Sequence, residues 1–306
     1  MRPPEVQLRK RSGSLTLRER LIGYMLLIRL NRPIGILLLL WPSLWALWIA
    51  GGGAPRWGVV LIFILGVTLM RSAGCAINDY ADRHFDGKVA RTRLRPLAIG
   101  LVTPQEAIAV FVVLSLAAFA LVLLLDWKTI TMSFVAVTLA ALYPFMKRFT
   151  HLPQLVLGMA FGWAVPMAFV ALTGTVSEAG WLLYVATIIW ALIYDTEYAM
   201  VDRDDDLKIG VKSTAILFGE YDRLMIGLLQ LTMLGLLIIV GSKLDLGGYY
   251  VLGVALGGMM FLWQQRLIRA QEPKKCFQAF LNNNTFGMTI FLGLVLDYLL
   301  RGTPTG

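Results

Sequence analysis

Apolar residues in this chain run continuously rather than alternating, in nine stretches at about 34–50, 57–77, 105–125, 129–146, 152–173, 180–201, 222–241, 247–266 and 279–299. Runs of roughly 20 apolar residues are long enough to cross a hydrocarbon core as helices, and in a helix every backbone N–H and C=O is satisfied within the segment. Strands of a membrane barrel would alternate apolar and polar positions, and that alternation is absent. The linkers between the runs are short and leave no place for a soluble domain. The pattern predicts an all-α fold, a polytopic membrane bundle of about nine transmembrane helices. It spans residues 31–306 as one domain, and residues 1–30 form a basic arm ahead of it.

Composition agrees with that pattern. The 306 residues are 58% hydrophobic and 15% charged, with a mean hydropathy of +0.69; soluble domains carry about 25% charged residues. The net charge of +9 invites a nucleic-acid reading. Its distribution argues instead for orientation in a bilayer. Counting Lys and Arg by loop puts 23 on one side of the predicted bundle and 4 on the other, with Arg71 left inside the second helix. The positive-inside rule then places the N-terminus on the cytoplasmic side, facing anionic headgroups. Residues 15–31 read as a basic amphipathic segment lying on that surface. The two cysteines, Cys75 and Cys276, have neither disulfide nor metal-site spacing, and His84 and His151 are too scattered for a histidine-based centre.

Two acidic windows stand out against this background. Asn78–Asp86 and Asp195–Asp206 hold 9 of the chain's 19 Asp and Glu residues, both at the ends of apolar runs on the basic side. Carboxylates beside a bilayer core are costly and read as functional. Asp82 and Asp86 are four apart, as are Asp202 and Asp206, so each pair shares one face of a helix. Carboxylates crowded in this way repel one another, and a hard divalent ion relieves the repulsion. Mg2+ takes oxygen ligands and is commonly shared between protein carboxylates and substrate phosphates. An isolated acidic run at a helix end is ordinarily a solvated charge cluster. Two runs with the same spacing, on one side and next to basic residues, point to a metal-bridged anion such as diphosphate. Arg91, Arg95, Tyr143 and Lys147 are the candidate contacts to its remaining oxygens. Asn78 and Asp195 lie further into the membrane than the presumed metal ligands. Arg71 needs an anionic partner, either an internal carboxylate or one on a substrate.

At these residues the chain resembles the intramembrane aromatic prenyltransferase superfamily, whose pattern is Asn-Asp-x-x-Asp-x-x-x-Asp on the second helix and Asp-x-x-x-Asp after the sixth. Arg32-Pro33-Ile34-Gly35, Arg91-Thr92 with Arg95-Pro96-Leu97, Tyr143 to Arg148, Tyr194 to Asp206 with Lys212-Ser213-Thr214-Ala215, and Asn282-Asn283-Asn284 resemble its bacterial 4-hydroxybenzoate branch, which serves ubiquinone synthesis. The resemblance covers residues 30–299, with Glu197 in place of an amide and His84 in place of a common Lys. It implies a central cavity open to the cytoplasmic side in the bacterial inner membrane. There Asp82, Asp86, Asp202 and Asp206 would hold Mg2+ on the diphosphate of a polyprenyl donor. Asn78 and Asp195 would orient or activate the phenol of 4-hydroxybenzoate, and Arg71 or Arg32 would receive its carboxylate. Transfer would go to the ring carbon ortho to the hydroxyl. The resemblance implies no nucleic acid and no obligate protein partner.

Other classes fit less well. An ion-coupled transporter predicts acids near the bilayer midplane and broken helices in related halves, whereas these acids sit at one interface. Soluble polyprenyl synthases also use paired Asp motifs but have no membrane spans. Membrane phospho-alcohol transferases carry a core like Asp86-Gly87-Lys88-Val89-Ala90-Arg91, but Arg83 and Pro104 stand where that motif needs Asp.

Overall fold

The computed structural model describes residues 16–89 and 91–301; the basic arm through residue 15 lies outside the described residues. Among the described residues twelve α-helices follow one another: α1 Leu17–Leu27, α2 Ile34–Ala50, α3 Trp57–Asp82, α4 Pro104–Val122, α5 Trp127–Met146, α6 Pro153–Gly162, α7 Ala164–Thr173, α8 Glu178–Ile209, α9 Thr214–Phe218, α10 Asp222–Lys243, α11 Gly248–Leu267 and α12 Pro273–Arg301. No strand occurs among the described residues. Among the described residues eight helical stretches are long and apolar enough to cross a membrane, counting α6–α7 and α9–α10 as one each. The 17-residue α2 is a shorter apolar helix, about 26 Å long at 1.5 Å per residue. The chain is a polytopic membrane protein, as its apolar runs predict.

Two spans differ from the sequence pattern in ways that matter for function. The run 152–173 is one span interrupted at Trp163, where α6 ends and α7 begins. Pro166 has no N–H to continue the ladder through that point. The run 180–201 extends to Ile209, so α8 carries its acids as a helix rather than releasing them into a loop. Gly210 ends it with φ 72°, a left-handed conformation that glycine adopts without a Cβ penalty, and its N–H donates to the Asp206 carbonyl.

α8 is the central helix, packed against α6, α10 and α12, while α2 sits against α3, α7 and α12. Three consecutive amides of α12 tie these elements together. Successive residues on a helix point about 100° apart, so the three reach three different neighbours. Asn282 accepts from Gln264 of α11 at 3.1 Å. Asn283 donates to Glu197 at 2.8 Å and accepts from Trp190 at 2.9 Å, both on α8. Asn284 accepts from Trp41 of α2 at 2.9 Å. Polar side chains join helices in this way inside a bilayer, where apolar contact alone gives little driving force. Asn283→Ala strands two fully buried partners, Glu197 and Trp190. It is expected to destabilise the bundle by about 1–3 kcal/mol, read as a lower thermal midpoint of the purified protein in detergent.

α1 starts at a capping box. Thr16 accepts from the Glu19 N–H at 3.3 Å, and the Glu19 carboxylate accepts from the Thr16 N–H at 2.8 Å. Gly23 and Leu27 are its buried positions, whereas Leu17, Leu21 and Met25 form an exposed apolar stripe at four-residue spacing.

Candidate active site

α3, α5 and α8 all deliver their C-terminal ends to the same end of the bundle, where the loops are rich in Arg. Between them lies a cavity of about 620 Å3, lined by residues of α2, α3, α4, α5, α6, α7, α8 and α12. All twelve residues singled out in the sequence line it: Asn78, Asp195, Asp82, Asp86, Asp202, Asp206, Arg91, Arg95, Tyr143, Lys147, Arg71 and Arg32. Its charged mouth gives way to an apolar interior, with Phe63 and Met70 of α3, Phe119 of α4 and Phe134 of α5 among the lining residues.

The first acidic pair does not share one helix face as its spacing predicts. α3 ends at Asp82, and Asp86 opens a single 3-10 turn. The Phe85 N–H donates to the Asp82 carbonyl at 2.7 Å, a tight turn that replaces another α-helical one. The pair meets nonetheless because Arg95 gathers it. Arg95 Nη1 lies 2.9 Å from both Asp86 oxygens, 3.2 Å from Asp79 and 3.7 Å from Asp82. Burial pushes the Asp86 carboxyl up to about 6, with Arg95 opposing. Burial pulls Arg95 down, but Asp79, Asp86 and Asp82 outweigh it and hold the guanidinium above its usual range.

Every acid of the two pairs except Asp206 is matched to a cation. Lys147 donates to Asp82 Oδ2, which also accepts from Asn78 at 3.2 Å. Arg91 Nε lies 2.9 Å from both Asp202 oxygens, and its Nη2 also donates to Asp202. Among the described residues no three Asp, Glu, His or Cys side chains converge as a ready-made metal cage. The two pairs line one cavity and bring their own cations with them. Asp82 Oδ1 is buried with no hydrogen-bond partner among the described residues. That orphan oxygen and the hard-oxygen donor set fit a divalent ion that keeps most of its shell for water and phosphate.

Depth sorts the remaining candidates. On α3, Asn78 is four residues and Arg71 eleven residues before Asp82, or about 6 and 16 Å along the helix. On α8, Asp195 is seven residues before Asp202, about 10 Å. Tyr143 is one turn deeper than Lys147, and its ring faces Phe161 at 6.4 Å. Tyr143 lines the same cavity as Arg91, Arg95 and Lys147. Arg71 stacks over Phe161 at 5.5 Å and donates to Cys75 Sγ at 3.0 Å. It makes no ion pair with a described carboxylate, and its buried Nε has no partner among the described residues. An internal carboxylate is therefore not in direct contact with Arg71, although Asp195 lines the same cavity and feels its charge. Arg32 lines the mouth on the turn before α2.

Sequence reasoning missed several members of the site. Tyr198 accepts from Arg91 Nη1 while the same guanidinium stacks over its ring at 4.5 Å; its position four residues before Asp202 was an available signal. Gln154 of α6 lines the cavity with its carbonyl oxygen accepting from the Thr214 N–H at 3.1 Å. Gly35 owes its identity to Arg71. A Cβ at this position would stand 2.5 Å from Arg71 Nε and Nη2, so the guanidinium occupies the space a side chain would need. Glu197 stands apart: it is fully buried and does not line the cavity.

Known proteins with this architecture share its chemistry in name. A curated 4-hydroxybenzoate octaprenyltransferase from Methylococcus capsulatus is 58% identical over 94% of this chain and 98% of its own length. The apo structure of a UbiA homologue from Aeropyrum pernix superposes with a TM-score of 0.75 at 26% identity, covering 85% of this chain and 97% of that one. A UbiA homologue from Archaeoglobus fulgidus, bound to GPP and Mg2+, shares the fold with a TM-score of 0.66 at 18% identity, over 88% of this chain and 99% of that one. The UbiA prenyltransferase family model matches residues 39–292, and the chain belongs to that family.

Proposed function

We propose that the chain transfers a polyprenyl group from polyprenyl diphosphate to the ring carbon ortho to the hydroxyl of 4-hydroxybenzoate, releasing diphosphate, as a step of ubiquinone synthesis. The observation that carries this reading is the depth order inside one cavity. Acid pairs with Arg91, Arg95 and Lys147 stand at the mouth, Asn78 and Asp195 below them, and below those Arg71, which makes no ion pair with a described carboxylate. The names of the close relatives agree with it.

Asp82, Asp86, Asp202 and Asp206 would hold Mg2+ on the donor diphosphate, and the metal supplies charge neutralisation on the departing oxygens. Arg91, Arg95 and Lys147 supply the positive charge for oxygens the metal leaves free. The allylic C1–O bond breaks, the diphosphate leaves with the bonding pair, and the cationic carbon is attacked by the ring carbon. The ring then gives up the proton on that carbon to the released diphosphate, directly or through water, and regains aromaticity. Arg71 takes the benzoate carboxylate, which fixes the long axis of the acceptor and directs its hydroxyl toward Asn78 and Asp195. Those two groups hydrogen-bond the hydroxyl and raise the electron density of the ortho carbon. The apolar interior between α3, α4 and α5 excludes water from the cation and takes the isoprenoid tail.

The side rich in Lys and Arg is assigned to the cytoplasm and the membrane to the bacterial inner membrane. The α1 stripe rests on the inner leaflet.

Membranes containing the protein, given polyprenyl diphosphates of several lengths and 4-hydroxybenzoate with and without Mg2+, are expected to form 3-polyprenyl-4-hydroxybenzoate only with the metal. Failure to do so at every donor length overturns the transferase reading. Gly35→Ala tests the acceptor pocket separately. The added methyl pushes the mobile guanidinium of Arg71 aside rather than breaking backbone packing. The KM for 4-hydroxybenzoate is expected to rise about tenfold, roughly 1.4 kcal/mol, with the donor KM unchanged; steady-state kinetics reads both.

A further inference from the structure

Asp79 is the acid of the first window that the proposed chemistry does not use. It follows Asn78 on α3, is fully buried, and does not line the cavity. One helical step, about 100°, turns it off the face that presents Asn78 and Asp82. Its Oδ1 nevertheless binds two residues that do line the cavity. Arg29 Nη2 donates to it at 2.7 Å, and Arg95 Nη1 lies 3.2 Å away. Its Oδ2 is buried with no hydrogen-bond partner among the described residues.

The two guanidiniums come from different segments. Arg95 comes from the loop after α3. Arg29 comes from the turn after α1, 50 residues before Asp79. Its backbone has φ 60°, a left-handed conformation that a side chain with a Cβ disfavours by about 1–2 kcal/mol. Strain of this kind persists where the surroundings over-determine it; the Arg29 N–H donates to the Leu26 carbonyl at 3.2 Å, and the ion pair to Asp79 is its side-chain anchor. The turn leads directly into Arg32, whose N–H donates to the Arg29 carbonyl at 3.0 Å.

Arg95 has three carboxylates around Nη1, and two of them, Asp82 and Asp86, are assigned above to the metal. Carboxylates engaged by a divalent cation are weaker partners for a guanidinium. Asp79, facing away from the cavity, remains available. We infer that Asp79 is a positioning residue that keeps Arg29 and Arg95 aimed at the donor diphosphate while Asp82 and Asp86 hold the metal, and that Arg29 is a further diphosphate contact. The inference rests on the transferase reading for the identity of the anion. It extends the anion site to the segment joining α1 to α2, outside both acidic motifs.

The test uses the purified full chain with Asp79→Asn, which keeps the shape and an acceptor oxygen but removes the charge, and with Arg29→Gln and Arg29→Lys. Affinity for inorganic diphosphate at saturating Mn2+ is measured by calorimetry, Mn2+ binding alone by electron paramagnetic resonance, and the donor and acceptor KM by steady-state kinetics. Diphosphate affinity and donor KM are each expected to weaken about tenfold in Asp79→Asn and Arg29→Gln, the fold-change for losing one charge-assisted contact. Arg29→Lys retains part of the affinity. Mn2+ affinity alone and the KM for 4-hydroxybenzoate stay within about twofold of wild type. A lower thermal midpoint with unchanged diphosphate affinity would assign Asp79 to stability alone and overturn the inference. Loss of Mn2+ binding as large as in Asp82→Asn would make Asp79 a metal ligand and also overturn it. If wild type binds Mn2+ and diphosphate but forms no prenylated product, the transferase reading fails, and the diphosphate affinities still decide the role of Asp79.

Discussion

Asp82→Ala and Asp202→Ala are each expected to lower prenyl transfer about a thousandfold or more, equivalent to about 4 kcal/mol of barrier. One Asp from each acidic pair is chosen because the pairs occupy different helices. Asp82 ends α3 and Asp202 sits in the last turns of α8. Each substitution removes a proposed metal ligand and also strands a cation, Lys147 in one case and Arg91 in the other. The stranded cation still favours diphosphate, so donor binding survives better than turnover. That asymmetry separates a metal role from a general electrostatic one. Loss of metal support appears in kcat, since the negative charge on the leaving oxygens develops in the transition state. Removal of the cations should act the other way. Arg91→Gln weakens donor binding first and frees Asp202 from its bidentate partner. Activity near the wild-type level in either Asp→Ala variant, in protein shown to be folded, would remove these acids from the site.

Arg71→Leu carries the second large effect, and it falls on the acceptor. Among the described residues Arg71 is the one cavity cation deep in the apolar interior, with no ion pair to a described carboxylate and an orphaned Nε. A carboxylate bound there forms a charge-assisted contact in a site shielded from water. Its loss is expected to reduce kcat/KM for 4-hydroxybenzoate about a hundredfold, close to 2.7 kcal/mol. The discriminating measurement compares 4-hydroxybenzoate with 4-hydroxybenzamide. Wild type should strongly prefer the acid, and Arg71→Leu should lose that preference. A variant that slows both acceptors equally would assign Arg71 to packing against Phe161 rather than to the carboxylate.

The spans were legible because burial in lipid demands an unbroken apolar run, and such a run leaves a direct mark on sequence. The end of α8 was legible only through the four-residue spacing of Asp202 and Asp206, because the stretch from Asp202 to Ile209 is polar and lies past the apolar run; it stays helical because Asp202 and Arg203 are held by partners on other elements. The four acids were legible from charge placed where charge is costly. Their partners were not. Arg91 meets Asp202 across 111 residues, Lys147 meets Asp82 across 65, and Arg29 meets Asp79 across 50. No local pattern encodes such pairings, which follow from helices ending at a common level. The equal spacing of the two Asp pairs also concealed a difference. One pair sits on continuous helix, and the other is split by a tight turn that Arg95 closes. Asn282, Asn283 and Asn284 were noticed as part of a family pattern. Their physical reason, three amides fanning out to α11, α8 and α2, appears only in the packed bundle.

The central claim is that the two acid pairs hold one metal-bridged diphosphate between α3 and α8. Anomalous diffraction from crystals grown with Mn2+ and an unreactive polyprenyl thiolodiphosphate tests it most directly. The predicted result is manganese density between Asp82 and Asp86 on one side and Asp202 and Asp206 on the other, with Arg91, Arg95 and Lys147 turned onto diphosphate oxygens. Manganese bound elsewhere in the cavity, or a diphosphate seated without either acid pair within coordination distance of metal, would contradict it.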